Sequence, residues 1–258
     1  MKKKQLRESQ LLDALGKKGH LNINEIIQML DVSESTARRI IVELEERGLA
    51  IRKFGGIQVL PPTQPTYSYT ELEQEMIDEK IRIGQFACSL VSDNDVIYLF
   101  GGTTTYQMAR SLEQKLLKNE LRNITVLTTS LANVEVLGNC CKVILIGGEY
   151  RPQRRDFAGF IAEKLVKTIS ISHCFMGVDG INLEDGLMSY DVETARIDEL
   201  IISRSALTTV LCDSSKFTKM SFISLSPIEK VKNIITDTGI SPITKAEFDA
   251  KGITLYCV

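Results

Sequence analysis

A chain of 258 residues, 43% hydrophobic and 25% charged, has room for about two domains and enough apolar side chains to fill cores without disulfide or metal staples. No apolar run approaches the ~18 residues of a membrane span, and the basic residues 2–4 lead into a polar amphipathic stretch rather than a signal core, so a cytoplasmic protein is expected. The net charge of −2 speaks against nucleic acid, but residues 1–60 carry 11 Lys+Arg against 8 Asp+Glu, which leaves the excess acid to the rest of the chain.

In chain order, Leu6, Leu11, Leu12 and Leu15 recur at helical spacing, and Gly16 and Gly19 end that helix. A second helix is predicted from about Asn24 to Leu30, with Ile26, Ile27 and Leu30 turned inward. A tight turn at Asp31-Val32-Ser33 follows, and the Ser33 hydroxyl is placed to accept an orphan N–H of the next helix. That third helix buries Ala37, Ile40, Ile41 and Leu44 at i, i+3, i+4, i+7 and stops at Gly48. Two short strands, 49–54 and 57–60, flank Gly55-Gly56, a hairpin signal.

Residues 61–70 hold three of the six prolines and almost no charge. Proline stiffens a linker, so this segment is expected to join a domain at 1–60 to one at 71–258. Beyond it, strands are predicted at 96–100, 124–127, 142–146, 173–176, 208–211, 233–236 and 253–257. Helical stretches lie between most of them, for example 106–117, 131–137 and 193–203. Strands alternating with helices imply right-handed crossovers and a Rossmann-like, mainly parallel α/β sheet covered on both faces.

The small domain has the parts of a winged helix-turn-helix. Once Ala37, Ile40, Ile41 and Leu44 are buried, Ser35, Thr36, Arg38 and Arg39 point outward beside the capping Ser33. Arg can donate two hydrogen bonds to a guanine edge or clamp a phosphate, and Ser or Thr can contact bases or backbone. Arg52 and Lys53 on the hairpin could reach phosphates or the minor groove as a wing. A single Arg-Arg pair is more often a solvated helix face. The whole combination of helix, capped turn, basic amphipathic helix and glycine-tipped basic hairpin favours double-stranded DNA as a partner.

The segment VSESTARRIIVELEERGLAIRKFGG resembles the DeoR family of bacterial regulators, whose reading helix runs VSxxTIRRDLxxLxxxGxLxRxHGG. This chain departs at Ala37, Ile40, Ile41 and Phe54.

In the larger domain, Gly101-Gly102-Thr103-Thr104-Thr105 follows the first strand and opens a helix, so backbone N–H groups and hydroxyls form a ready anion site. It is neither a Walker loop nor GxGxxG, and the bland reading is a strand-to-helix turn with a Thr cap. Polar turns follow later strands: Thr128-Thr129-Ser130, Gly147-Gly148, Gly177-Val178-Asp179-Gly180 and Asp213-Ser214-Ser215-Lys216-Phe217. Ligands of open α/β sheets bind outside the carboxyl ends of the strands, so these turns support one another. Phosphate suits the Gly/Thr loop and Lys216, while Asp179 or Asp213 could accept hydroxyl protons from a sugar. Thr129, Ser130 and Gly148 complete the candidate effector set.

The same family carries a DxGTT-like loop, a TNS turn, a GG pair, a GxDG turn and a DxxKFG segment in this order, so the resemblance covers nearly the whole chain. Here Phe100, Thr129 and Thr218 depart from the pattern. The resemblance implies a sensor domain similar to ribose-5-phosphate isomerase, a small phosphorylated metabolite as effector, and repression relieved by that ligand. The expected protein is a repressor of a carbohydrate operon, working as a homodimer or homotetramer without a cofactor.

The alternative is a sugar-phosphate isomerase or deaminase using Asp179, Glu193 or Asp213 as base, although an enzyme has no evident need for a helix-turn-helix. The charged stretch 191–199 reads as a solvated or subunit-facing helix surface, and His173 as a satisfied core or edge residue. The six cysteines show no CxxC spacing and, with only His20 and His173 beside them, read as reduced core residues rather than a zinc cluster.

Overall fold

The computed structural model describes Arg7, Leu11, Leu12, Ala14, Leu15 and residues 20–46, 50–53, 55–59 and 67–258. The expected helix stops at Gly16, Gly19 and Gly48, together with Leu6, Leu49, Phe54 and residues 60–66, lie outside the described residues. Two compact units make up the chain, Met1–Pro65 and Thr66–Val258.

The smaller unit contains β1 (His20–Asn22), α1 (Ile23–Leu30), α2 (Glu34–Glu46), β2 (Ala50–Lys53) and β3 (Gly56–Val59). Asn22 caps α1 in a reciprocal box: its Oδ1 accepts the Glu25 N–H at 3.0 Å, and Glu25 Oε2 accepts the Asn22 N–H at 2.9 Å. The helix therefore starts at Ile23, slightly ahead of the position its apolar pattern marks. Asp31 closes it in the left-handed region, with φ 46°. Ser33 Oγ then accepts the Thr36 N–H at 3.4 Å, opening α2. Leu11, Leu15, Ile26, Leu30, Ala37, Ile40, Ile41, Leu44 and Ile57 share one core, with Ile27 only half-buried at its margin.

A third strand, β1, pairs with β3 and is not visible in the sequence pattern. Their approach depends on Gly56, where a Cβ would lie 2.2 Å from the Leu21 carbonyl oxygen.

The larger unit opens with α3 (Tyr69–Gln74) and α4 (Ile77–Cys88). Then come β4 (Val96–Leu99), α5 (Thr103–Leu117), β5 (Thr125–Thr128), α6 (Leu131–Leu137) and β6 (Lys142–Leu145). A hairpin of β7 (Glu149–Arg151) and β8 (Asp156–Ala158) precedes α7 (Phe160–Val166) and β9 (Ile171–Met176). The strands β10 (Gly180–Asn182) and β11 (Gly186–Ser189) lead to α8 (Val192–Ser203) and β12 (Ser205–Leu211). The chain ends through β13 (Ile223–Ser226), β14 (Asn233–Thr236), α9 (Pro242–Ala250) and β15 (Thr254–Cys257).

The main sheet is parallel throughout, in the order β15-β14-β12-β9-β4-β5-β6. All seven of its strands coincide with predicted ones. Along β4, Ile97 and Leu99 enter one apolar cluster with Ile83, Met108 and Val126. Tyr98 enters the other with Cys174, Ile201 and Val210. A sheet buried on both faces explains why these strands read as apolar runs without polar alternation. From β4 the chain steps outward to β5 and β6, then returns to β9 and steps the other way. The gap between the carboxyl ends of β4 and β9 is thus a topological switch point.

No helix among the described residues is long and apolar enough to cross a membrane. All six cysteines are free.

Candidate functional site

In the smaller unit, α2 presents its amino-terminal half outward. Ser33, Ser35, Arg38 and Arg39 are exposed and Thr36 is half-buried. The Ser33 hydroxyl lies 3.0 Å from both the Ser35 and the Thr36 hydroxyls. Arg38 forms an exposed pair with Glu34, Nη2 to Oε1 at 2.6 Å. Arg39 has no ion-pair partner among the described residues. Arg52 is exposed on β2, and Lys53 ends that strand with its side chain outside the described residues. A rigid helix showing hydroxyls and guanidinium groups at one end has the chemistry of a major-groove reader.

In the larger unit, all five polar turns singled out in the sequence follow strands of the main sheet, at its carboxyl edge. Those after β4, β9 and β12 meet in a crevice at the switch point, lined by Gly101, Gly102, Thr103, Thr104, Asp179 and Lys216. Gly102, the N-cap of α5, has φ 128° and ψ 162°, a conformation open essentially to glycine alone. It makes no side-chain cap, so the first N–H groups of α5 stay available to a ligand.

Other candidate residues are engaged elsewhere. The Thr105 hydroxyl donates to the Gly102 carbonyl at 3.0 Å. Buried Thr129 accepts the Tyr98 hydroxyl at 3.4 Å, and Ser130 caps α6 through the Asn133 N–H at 3.3 Å. Asn133 in turn donates to the Phe100 carbonyl at 2.9 Å, which fixes the entry to the Gly/Thr loop from behind. Gly148 lets the chain pass close to β8, since a Cβ there would sit 2.3 Å from the Ala158 carbonyl oxygen. Asp213 caps the 3-10 turn Ser214–Phe217 that carries Lys216. Asp237 pins the same turn: its carboxylate accepts the Ser214 N–H at 2.6 Å and the Gly239 N–H at 2.8 Å. Burial pushes the Asp237 carboxyl up, but these donors outweigh it and hold the group below its ordinary value.

The crevice also contains residues the sequence reading missed: Tyr67, Lys80, Arg154, Ser189, Thr194 and Asp198. Lys80 is 3% exposed and donates to the Leu72 carbonyl at 2.5 Å. Burial pulls its ammonium down to about 8. Its signal was present in the sequence, because Lys80 shares the apolar stripe of α4 with Ile83, Gly84 and Ala87. Arg154 lies 3.9 Å over the Tyr67 ring, and burial pushes the Tyr67 phenol up to about 12. Arg151 grips Asp156 with two bonds, 2.8 and 2.7 Å, and reaches Asp191 at 2.7 Å. Asp179 accepts the Ser189 hydroxyl at 3.1 Å and the Tyr190 N–H at 3.0 Å.

Residues 191–199 are only partly a solvated face, which corrects the sequence reading. Asp191 caps α8 and Asp198 is buried against the crevice, while Glu193, Arg196 and Glu199 are exposed. His173 is partly buried, with Nε2 2.8 Å from the Thr209 hydroxyl, and burial pulls its imidazole down to about 4.

Residues 7–63 match the DeoR-like helix-turn-helix domain, and residues 75–238 match the DeoR C terminal sensor domain. The lactose phosphotransferase system repressor of Lactococcus lactis is 34% identical over 95% of this chain and 95% of its own. A putative aga operon transcriptional repressor of Escherichia coli O157:H7 is 26% identical over 91% and 86%. Among solved structures, ribose 5-phosphate isomerase A from Methanocaldococcus jannaschii aligns over 55% of this chain and 54% of its own, at 18% identity and a TM-score of 0.41. The chain belongs to the DeoR family: it is a transcription regulator, not an enzyme, with a helix-turn-helix domain for operator DNA and a sensor domain for a small-molecule effector.

Proposed function

We propose that this regulator represses an operon of carbohydrate metabolism in the cytoplasm, and that a phosphorylated sugar or a related metabolite in the sensor crevice relieves the repression. The observation that carries this reading is the meeting of the uncapped α5 N-terminus with Lys80 and Lys216 in one crevice. The phosphate sits on the N–H groups at Gly102–Thr104 and on the two ammonium groups, with Gly101 giving close backbone approach. Asp179 accepts a sugar hydroxyl with the lone pairs its protein donors leave free.

Two reader units of a homodimer or homotetramer bind half-sites about one helical turn apart, or a multiple of that. Ser33, Ser35, Thr36, Arg38 and Arg39 enter the major groove, and Arg52 and Lys53 meet the backbone. Tyr67, only two residues past Pro65, is part of the crevice wall, so a ligand there acts directly on the segment where the larger unit begins. A differential affinity of ~1–3 kcal/mol between two quaternary arrangements changes operator occupancy several-fold to a hundredfold.

The test is thermal stability of the full chain with fructose-6-phosphate, galactose-6-phosphate, glucosamine-6-phosphate, ribose-5-phosphate and glycerol-3-phosphate, each beside its unphosphorylated parent. A ligand at a hundred times its Kd adds ~2.7 kcal/mol. Stabilisation by an ester and not by its parent is expected. A response to the free sugar alone would remove the phosphate site.

A further inference from the structure

The crevice has two chemically different ends. The charged groups around Lys80 are Asp213, Lys216, Glu75 and Lys219, whereas those around Asp198 are Arg154, Asp156, Asp179 and Arg151. At this second end the charges already answer one another. Arg151 holds Asp156 with two bonds, Arg154 Nε is ion-paired with the same carboxylate at 3.6 Å though it makes no hydrogen bond, and Asp179 takes its donors from Ser189 and Tyr190. Among the charged groups at this end, Asp198 is the exception in having neither a hydrogen bond nor an ion pair within the described residues. It is 8% exposed and lines the crevice one helical turn after Thr194 on α8. A buried polar group that lacks a partner is costly, so one retained on a cavity wall points to a partner that arrives with the ligand.

We propose that Asp198 is a specificity-determining residue of this crevice, holding a hydroxyl at the uncharged end of a phosphorylated sugar or polyol whose phosphate lies at the Lys80–Lys216 end. This rests on the sensor reading given above. A second anionic group on the ligand would face Asp179 and Asp198, and the cation lining this end, Arg154, already stacks on Tyr67 and pairs with Asp156. An ammonium group would need Asp198 ionised, and its surroundings oppose that. Burial pushes the carboxyl well above its ordinary range, Asp156 and Asp179 push the same way, and Arg154 and Arg151 only moderate the rise. The neutral acid offers one O–H donor and one carbonyl acceptor, which is the complement of a hydroxyl that both gives and takes a hydrogen bond.

The experiment compares the full-length wild type with Asp198→Asn and Asp198→Leu. Thermal shifts are read for the five phosphate esters named above and for inorganic phosphate, which fills the lysine end alone. Asparagine reproduces the donor and acceptor of a protonated acid. Asp198→Asn therefore keeps the affinity of the best ester within about threefold and leaves Tm at neutral pH unchanged. Asp198→Leu lowers ester affinity tenfold or more, and all three proteins respond alike to inorganic phosphate. Should the leucine variant fail to fold, Asp198→Ala replaces it with the same expectation. Unchanged ester affinity in the leucine or alanine variant overturns the assignment. So does an asparagine variant that loses affinity as fully as leucine, or one whose Tm falls at neutral pH like that of a broken ion pair. These failures differ from that of the sensor reading, in which the wild type responds to no ester and both proposals fall.

Discussion

Arg38 and Arg39 are neighbours on α2, and in the proposed reading they would reach DNA at different cost. Arg38 must release Glu34, an exposed i,i+4 pair contributing only ~0.3–0.5 kcal/mol, while Arg39 has nothing to release among the described residues. Arg39→Ala is expected to weaken operator binding by ~1–3 kcal/mol if it reads a base, and Arg38→Ala by slightly less. Fluorescence anisotropy with an operator duplex checks this, and wild-type affinity in both variants would remove α2 from the groove. Ester-induced stabilisation should be unaffected in either.

Lys80 makes a prediction in pH. Its folded value, about 8, lies below the ordinary 10.5, so burial penalises the charged form fully below pH 8 and the penalty fades as pH rises toward 10.5. Lys80→Met should therefore raise Tm at neutral pH and lose that advantage in strong alkali. A phosphate that needs the ammonium should bind about tenfold more weakly for each pH unit above 8. Calorimetric titration from pH 7 to 10 measures this slope, and a flat profile would place the phosphate away from Lys80.

At the scale of elements, the 3-10 turn Ser214–Phe217 has no long hydrogen-bond ladder of its own, so Lys216 stays in the crevice because Asp213 and Asp237 fix the turn. Asp237→Asn should destabilise the larger unit by ~1–3 kcal/mol at neutral pH, the scale of hydrogen bonds to a charged group, and weaken ester binding. Because the folded carboxyl sits below its ordinary value, its contribution is present at neutral pH and is lost as pH falls through the folded value, where wild type and variant converge. Melting curves at several pH values test this, and a constant gap between the two proteins down to strong acid would contradict it.

The main-sheet strands were legible because burial of the central ones on both faces leaves apolar, β-branched runs between polar turns, and the edge strand β6 reads as an apolar run although it is largely exposed. The short pairs were not. β1 and β13 owe their existence to partners distant in sequence, β3 and β11, with Gly56 allowing the first approach. The β7–β8 and β10–β11 hairpins are local but use strands of three or four residues, too short to show an alternating pattern. The crevice was half legible. Gly101 to Thr104, Asp179 and Lys216 lie on turns that announce themselves, and Lys80 stood out of place on an apolar stripe. Nothing local distinguishes Arg154 or Tyr67, whose role comes from stacking on each other, and the charged run around Asp198 hid the one carboxyl that turns inward.

For the whole molecule, the proposed coupling between reader and sensor runs through a ligand-dependent quaternary arrangement. DNA binding should weaken steeply with salt, since each neutralised phosphate adds about −0.9 to the slope of log K against log salt. The most direct test of the joined function is operator affinity, using a duplex selected from genomic fragments by the full-length protein, with and without a saturating stabilising ester. The ester is expected to raise the operator Kd at least several-fold, and its unphosphorylated parent to leave it unchanged. An operator Kd that stays the same while the ester visibly stabilises the protein would contradict the coupling.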